Sequence, residues 1–298
     1  MLSTRLLKDY VARQSMLFLT LLCLLFLFII GAALFIKAYP IIEQKSIWTL
    51  ISTSKWQPFK GNFGFFSFIF STLFVTGIAI AIALPFSLLS GIYLSEYATK
   101  RVRNIFFPVV DLLSGIPPVI YGVWGTLTIV PFISDKLAPK FVDFSTGYSV
   151  LAGGVVLSIM IVPLIISLLV ELMRSIPQET REASWSLGAT KWETIKNVLV
   201  RKSIPGIIAI IVLAISRAFG ETIAVLMVCG NFTGIPHSMF DSCYPIPALI
   251  ANNYGEMLSI PGYEAALMFA ALLLFVIIVV FNALSRLILY QIRKKYYL

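Results

Sequence analysis

Two ionisable residues four positions apart, Arg217 and Glu221, lie inside Ile207 to Gly230, a stretch otherwise almost wholly apolar and long enough to cross a bilayer. A charge placed there costs about 2.5–3.5 kcal/mol on insertion scales, so an Arg at that depth needs a partner or a purpose. Positions i and i+4 share one face of a helix, so a continuous helix would point both groups into a bundle or polar cavity. Two readings follow: a structural ion pair, or a contact point for an anion in transit. A guanidinium stays charged and offers a planar donor fork that matches tetrahedral oxyanions. A second stretch, Ser114 to Gly125, holds three glycines and the adjacent Pro117 and Pro118 inside another apolar run. Prolines lack the N–H donor and clash with the preceding turn, so a kinked or unwound backbone is expected. Such backbone is tolerated at membrane depth where it is buried in protein or lines a cavity. This break is a pathway element, with the Ser114 and Tyr121 hydroxyls lining it, or a packing kink.

Other chemistries find few residues to work with. The one histidine, His237, falls in an expected outer loop, and Cys23, Cys229 and Cys243 have no metal-ligand or disulfide spacing. A metal site or an embedded Ser/His hydrolase is disfavoured. No Gly-x-x-x-x-Gly-Lys-Ser/Thr segment is present, so any ATP and Mg would be bound by another subunit, with no cofactor in this chain.

The elements that position these residues are set by composition. Of 298 residues, 59% are hydrophobic and only 12% charged, against about 25% charged in soluble proteins. The chain is expected to be an all-α polytopic membrane protein, with apolar runs at Met16 to Ile36, Phe66 to Leu94, Ile105 to Ile133, Val150 to Met173, Ile207 to Gly230 and Ala265 to Leu289. Each reaches the ~20 residues that a spanning helix needs. A β-barrel would show short alternating segments instead. With the N-terminus inside, fifteen Lys and Arg fall in the inner segments and six (Lys37, Lys45, Lys55, Lys60, Lys136 and Lys140) in the outer ones. The positive-inside rule then puts both termini in the cytoplasm. The net charge of +9 reports topology and contact with anionic membrane lipid rather than nucleic acid. The first apolar run is longer than a signal-peptide core and is read as a retained span. Residues 1–65 form an N-terminal tail, the first span and an outer interfacial segment (Pro40 to Asn62, with Trp48 and Trp56); 66–298 form the transmembrane core.

Within that core, 174–204 is an inner loop with strong helix signals. Ser175-Ile176-Pro177-Gln178 reads as a capping box with Pro in the first turn, and Thr190-Lys191-Trp192-Glu193 as a second. Ile176, Thr180, Ala183 and Leu187 recur at helical spacing beside Glu179, Arg181 and Glu182, and Gly188 sits where a left-handed stop belongs. Trp192, Ile195 and Leu199 continue an apolar face until Pro205. The product is a helix, a glycine turn and a second helix, serving as an interfacial hairpin or as a docking surface for another protein.

Glu182-Ala183-Ser184, three residues and then Gly188 resemble the EAA signature of ATP-binding-cassette (ABC) importer permeases, although Val198-Leu199-Val200-Arg201 departs from the usual Ile-x-Leu-Pro. Gly91 to Tyr97, Ser114 to Gly122, Ile176 to Ala183 and Arg217 to Thr222 are similar to the permeases of the phosphate-specific (Pst) importer. Val123-Trp124-Gly125, Ala224 to Asn231 and Ile250-Ala251-Asn252 look like the C subunit more than the related A subunit. The resemblance covers about Gly91 to the C-terminus. It implies a type I ABC importer permease with six transmembrane helices, paired with an A-type permease, two cytoplasmic ATPases and an extracytoplasmic phosphate-binding protein. Glu179, Glu182, Ala183 and Gly188 would then dock on an ATPase. Arg217, Glu221, Thr222, Ser114 and Tyr121 would face the phosphate path. A permease for sulfate or molybdate, or a passive anion channel, remains the alternative on residue chemistry alone.

Overall fold

The computed structural model describes residues 2–255, 260 and 262–297; positions 256–259 and 261 of the expected third outer loop lie outside the described residues. Long uncharged runs become helices because a helix satisfies every backbone N–H and C=O within its own segment. In chain order the elements are α1 (Leu2–Gln44), α2 (Ile47–Ser52), the hairpin β1 (Trp56–Gln57) and β2 (Asn62–Phe63), α3 (Phe66–Tyr97), α4 (Lys100–Gly115), α5 (Pro118–Lys140), α6 (Val150–Arg174), α7 (Gln178–Ser186), α8 (Lys191–Gly220), α9 (Ile223–Val228), α10 (Ile246–Asn253) and α11 (Tyr263–Tyr297). In the hairpin Trp56 stands opposite Phe63 and Gln57 opposite Asn62. Among the described residues, α1, α3, α6, α8 and α11 are long and apolar enough to cross a membrane, and α4 with α5 supplies a sixth span as a bent pair.

Two expected spans differ from the straight helices that their apolar runs suggest. The run Ile105 to Ile133 is divided at Ile116–Pro117, where α4 and α5 meet at 92°. Pro117 and Pro118 cannot donate to the ladder that would have joined the two pieces. The fifth span begins at Lys191, well before Ile207, runs through Pro205, and ends at Gly220 instead of Gly230. A proline inside a spanning helix removes one N–H and is tolerated when neighbouring helices cover the site; Pro205 is buried.

The core lies between α3, α6, α8 and α9. Val75, Ala79 and Ala83 of α3 meet Val156, Leu157 and Ile161 of α6, with Ala214, Ala218, Ala224 and Val228 closing the cluster. Small residues let these backbones approach. A Cβ added to Gly154 would stand 2.5 Å from Ile78 Cγ2, and one on Gly91 would stand 2.6 Å from Leu169 Cδ2. A second cluster locks the other end of the bundle. There Trp56, expected as an interfacial anchor, is enclosed edge-on by Phe63, Phe65, Phe68 and Tyr263 at centroid distances of 5.0–5.9 Å. Trp48, 77% exposed, retains the character of an interface residue.

Gly154→Val is expected to overpack the α3–α6 contact and cost about 1–3 kcal/mol. A thermal melt of the purified protein in detergent checks this, and an unchanged midpoint would contradict the close-approach argument.

Candidate functional site

The break before α5 is built by hydrogen-bond arithmetic. The carbonyl of Leu113 would normally accept from the N–H of residue 117, but Pro117 has none. Tyr121, only 7% exposed, donates its phenol to that carbonyl at 2.8 Å, and the Ile116 N–H reaches it at 3.4 Å. Ser114 Oγ donates to Val110 O at 2.9 Å. Both hydroxyls are therefore engaged by the backbone around the break, Tyr121 inside the protein and Ser114 on an exposed face.

The second break disposes of the Arg217–Glu221 ion pair. Glu221 follows the last residue of α8 in an extended conformation (φ −70°, ψ 122°), so the helical repeat that would align it with Arg217 is cut. Its Oε1 accepts from the Ala224 N–H at 3.4 Å, capping α9. Thr222 Oγ1 donates to Gly220 O at 3.1 Å. Among the described residues the ion pairs are Lys37–Glu264 and Arg181–Glu96, and neither includes Arg217. Arg217 is exposed in the last turn of α8, although Ala214, Ala218 and Phe219 around it are buried. The covered face is fixed to α11 by Asn282 Nδ2 donating to Ser216 Oγ at 3.1 Å and by the edge-on Phe219–Phe281 pair at 5.8 Å.

The two breaks are neighbours. A Cβ on Gly122 would stand 2.6 Å from Met227 Sδ and 3.2 Å from Ala224 Cα, and one on Gly125 would stand 2.9 Å from Val228 Cγ1. Thr126 Oγ1 donates to Met227 O at 3.2 Å. Both sets of contacts advance in the same direction along α5 and α9, so the interruptions at 116–117 and 221–222 lie side by side. The start of α5 thus lies against α9, a few residues beyond each break, with Tyr121 held at the first and Glu221 and Thr222 at the second. Arg217 is exposed in the last turn of α8, just before the second break, and no carboxylate of the described residues pairs with it.

The helix pair α7–α8 forms as its spacing implies, with different faces. Gly188 takes φ +83° and ends α7. The second capping box is complete: Thr190 Oγ1 accepts from the Glu193 N–H at 3.3 Å, and Glu193 Oε2 accepts from the Thr190 N–H at 2.8 Å. The first box is absent. Pro177 is the residue before α7, and Ser175 Oγ donates backwards to Leu172 O at 2.7 Å, staying with the end of α6. The expected apolar face of Ile176, Thr180, Ala183 and Leu187 is not the buried one. Ile176 is covered, but Ala183 is exposed and Leu187 is 90% exposed. The inward residues of α7 are Arg181 and Ser184, the latter hydrogen-bonded to Thr194 Oγ1 at 2.9 Å. Glu179, Glu182, Ala183, Trp185, Leu187, Gly188 and Trp192 consequently share the outside of the hairpin.

Arg181 explains that orientation. Its guanidinium is bidentate to Glu96 at the end of α3, at 2.8 and 3.2 Å, and also donates to Met173 O in the last turn of α6 and to Ile176 O just beyond it, at 2.9 and 2.8 Å. Burying a charge requires a partner and full hydrogen bonding, and both are supplied. Sequence reasoning assigned Glu96 no part in the hairpin. The available signal was a single carboxylate at the end of a long apolar run, but Lys100, one helical turn on, offered it a local partner in place of the distant Arg181.

Residues 83–294 match the model of the binding-protein-dependent transport system inner membrane component family. Among curated proteins, the probable ABC transporter permease protein YqgH of Bacillus subtilis is 39% identical over 69% of this chain and 66% of its own length. The probable phosphate transport system permease protein PstC of Methanocaldococcus jannaschii is 35% identical over 88% of this chain and 87% of its own. The phosphate transport system permease protein PstC of Haemophilus influenzae is 32% identical over 80% of each chain. Of solved structures, the bacterial alginate ABC transporter bound to its alginate-loaded periplasmic protein aligns with TM-score 0.56 at 18% identity, covering 84% of this chain and 94% of that one. An inward-facing MetNI methionine ABC transporter aligns with TM-score 0.55 at 17% identity, covering 83% and 97%. The family model over most of the chain and the relatives at 32–39% identity establish the family: the chain belongs to the binding-protein-dependent transport system inner membrane components, the multi-pass permease subunits of ABC importers.

Proposed function

We propose that this chain is the permease of an ATP-driven importer of inorganic phosphate, of the C type, working with a second, A-type permease, two cytoplasmic ATPases and an extracytoplasmic phosphate-binding protein. The observation that carries this reading is the 35% identity to a phosphate permease over 88% of the chain, which holds far beyond any single motif. The chain itself supplies no catalysis; it provides half of a path and a contact for the motor. The bias of Lys and Arg toward the α3–α4 and α6–α8 connections supports an orientation with those segments and both termini in the cytoplasm.

Arg217 is assigned to the path. Phosphate carries one or two negative charges near neutral pH, and Arg217 offers an unneutralised guanidinium beside two stretches of interrupted helix. Glu221 and Thr222 shape the break that leaves this side chain uncovered, and Ser114, Tyr121, Pro117 and Pro118 shape its neighbour. Transit requires binding weak enough for release, which a single exposed Arg meets better than an enclosed cluster. The outward residues Glu179, Glu182 and Ala183, with the Gly188 turn, are assigned to the ATPase contact. Arg181 and Glu96 tie that contact to α3 and α6, so displacement of the hairpin moves both helices.

In vesicles carrying all four kinds of subunit, labelled phosphate should enter only with ATP, and excess sulfate should not compete. Uptake without ATP would make the chain a channel, and competition by sulfate would reassign the substrate. Arg217→Ala should abolish uptake, and Arg217→Lys should restore it poorly because an ammonium lacks the planar fork; normal import by Arg217→Ala would remove that residue from the path. Gly188→Val forces a β-branched residue into φ +83°, at a cost of roughly 1–2 kcal/mol. The result expected is ATP hydrolysis that no longer tracks uptake, with the protein still in the membrane. Unchanged coupling ratios in that variant would count against the hairpin as the motor contact.

A further inference from the structure

A cleft of about 460 Å³ opens where the end of α3, the start of α4, the end of α6 and the α7–α8 hairpin converge. Its ionic lining is four cations, Arg103, Arg174, Arg181 and Lys191, against one carboxylate, Glu96. Two of the cations are consumed by the fold. Arg181 is held by Glu96, and Arg103 donates to the carbonyls of Leu94 (2.8 Å) and Ser95 at the end of α3. The other two have ring faces in place of acceptors: the Arg174 guanidinium lies 4.8 Å from the centroid of Phe107, and the Lys191 ammonium 4.6 Å from that of Tyr97. A ring face orients a cation without neutralising it. The cleft therefore presents a guanidinium fork and an ammonium, each pre-positioned and each lacking an ionic partner among the described residues, over a floor whose own carboxylate is already used.

We propose that this cleft is a phosphate-group binding site, separate from the translocation path, in which Arg174 and Lys191 hold the oxyanion and Arg103 adds charge behind them. A guanidinium beside an ammonium is suited to phosphate oxygens, and basic pockets at helix ends on the cytoplasmic side accept phosphorylated headgroups. Two sources share this chemistry, the headgroup of an anionic phospholipid and free inorganic phosphate. Because Lys191 opens α8 and Arg181 belongs to α7, an occupant would brace the hairpin against α3 and α4. The cytoplasmic placement rests on the orientation given under Proposed function; the cleft and its charges do not.

The test uses the assembled importer in nanodiscs of phosphatidylcholine alone or mixed with phosphatidylglycerol, as wild type, as Arg174→Gln with Lys191→Gln, and as Lys191→Gln alone. Native mass spectrometry reads retained phosphatidylglycerol, and ATPase rate is titrated with inorganic phosphate in the phosphatidylcholine discs. Retention of phosphatidylglycerol should fall about fivefold for each cation removed if the source is lipid. A phosphate response present in the wild type and lost in the variants identifies free phosphate instead. Equal lipid retention and equal phosphate response in wild type and variants would overturn the proposal. If the double variant does not assemble, Lys191→Gln decides alone, since among the described residues its ammonium has the Tyr97 ring and no hydrogen bond or ion pair. Wild-type uptake is measured in vesicles from the same preparation; uptake with neither response defeats the cleft and leaves the importer reading intact.

Discussion

A backbone amide or carbonyl that leaves a helix inside hydrocarbon has no water to turn to. The rest of this molecule is arranged around that constraint, because two of its spans are interrupted. At the first interruption the carbonyl orphaned by Pro117 is claimed by the Tyr121 phenol. At the second, Glu221 leaves the helix and caps the segment that follows. The start of α5 packs against α9, with Gly122 and Gly125 removing the side chains that would hold them apart. Val156 of α6 closes on Gly125 as well, so the segments after both breaks are covered by one another and by the core.

The second break also sets the surroundings of Arg217. In a continuous helix Glu221 would have been its partner, and the pair would have been closed to any anion. Ending the helix at Gly220 diverts the carboxylate to a backbone N–H and leaves the guanidinium uncovered, at the C-terminal end of α8 where the helix dipole favours a cation. The stabilising part of the arrangement comes from Ser216, Phe219 and their α11 partners on the covered face, so the charged face need not contribute to stability.

Much of the architecture is legible in the sequence because it follows from local rules. Apolar length predicts the spans, paired prolines predict the first break, and Gly188 with the Thr190–Glu193 box predicts the helical hairpin. The failures share a cause. Whether Pro205 ends a helix and whether Glu221 stays in one depend on which neighbours cover them, and no local pattern carries that. The inverted face of α7 is the clearest case. Helical spacing puts Ala183 and Leu187 together and marks Arg181 as solvent-facing, yet a carboxylate 85 positions upstream turns the helix over. A rule that buries apolar residues does not hold where a buried ion pair fixes the helix and leaves Leu187 and Trp192 outside, a face whose apolar exposure marks it as an interaction surface.

The cations of this chain differ in function chiefly by what stands opposite them. Arg181 faces a carboxylate and two carbonyls, and becomes a rigid joint between the hairpin and two spans. Arg174 and Lys191 face aromatic rings, which aim a charge while leaving it available. Arg217 faces open space beside broken backbone. A joint must not release its partner and a path must, so the difference in pairing suits Arg181 to the first task and is consistent with the path role proposed for Arg217. Glu96 belongs with Arg181 for that reason: without it the buried cation would lose its counter-charge, and the link between the hairpin and α3 would be replaced by an unpaired charge whose removal from water costs several kcal/mol.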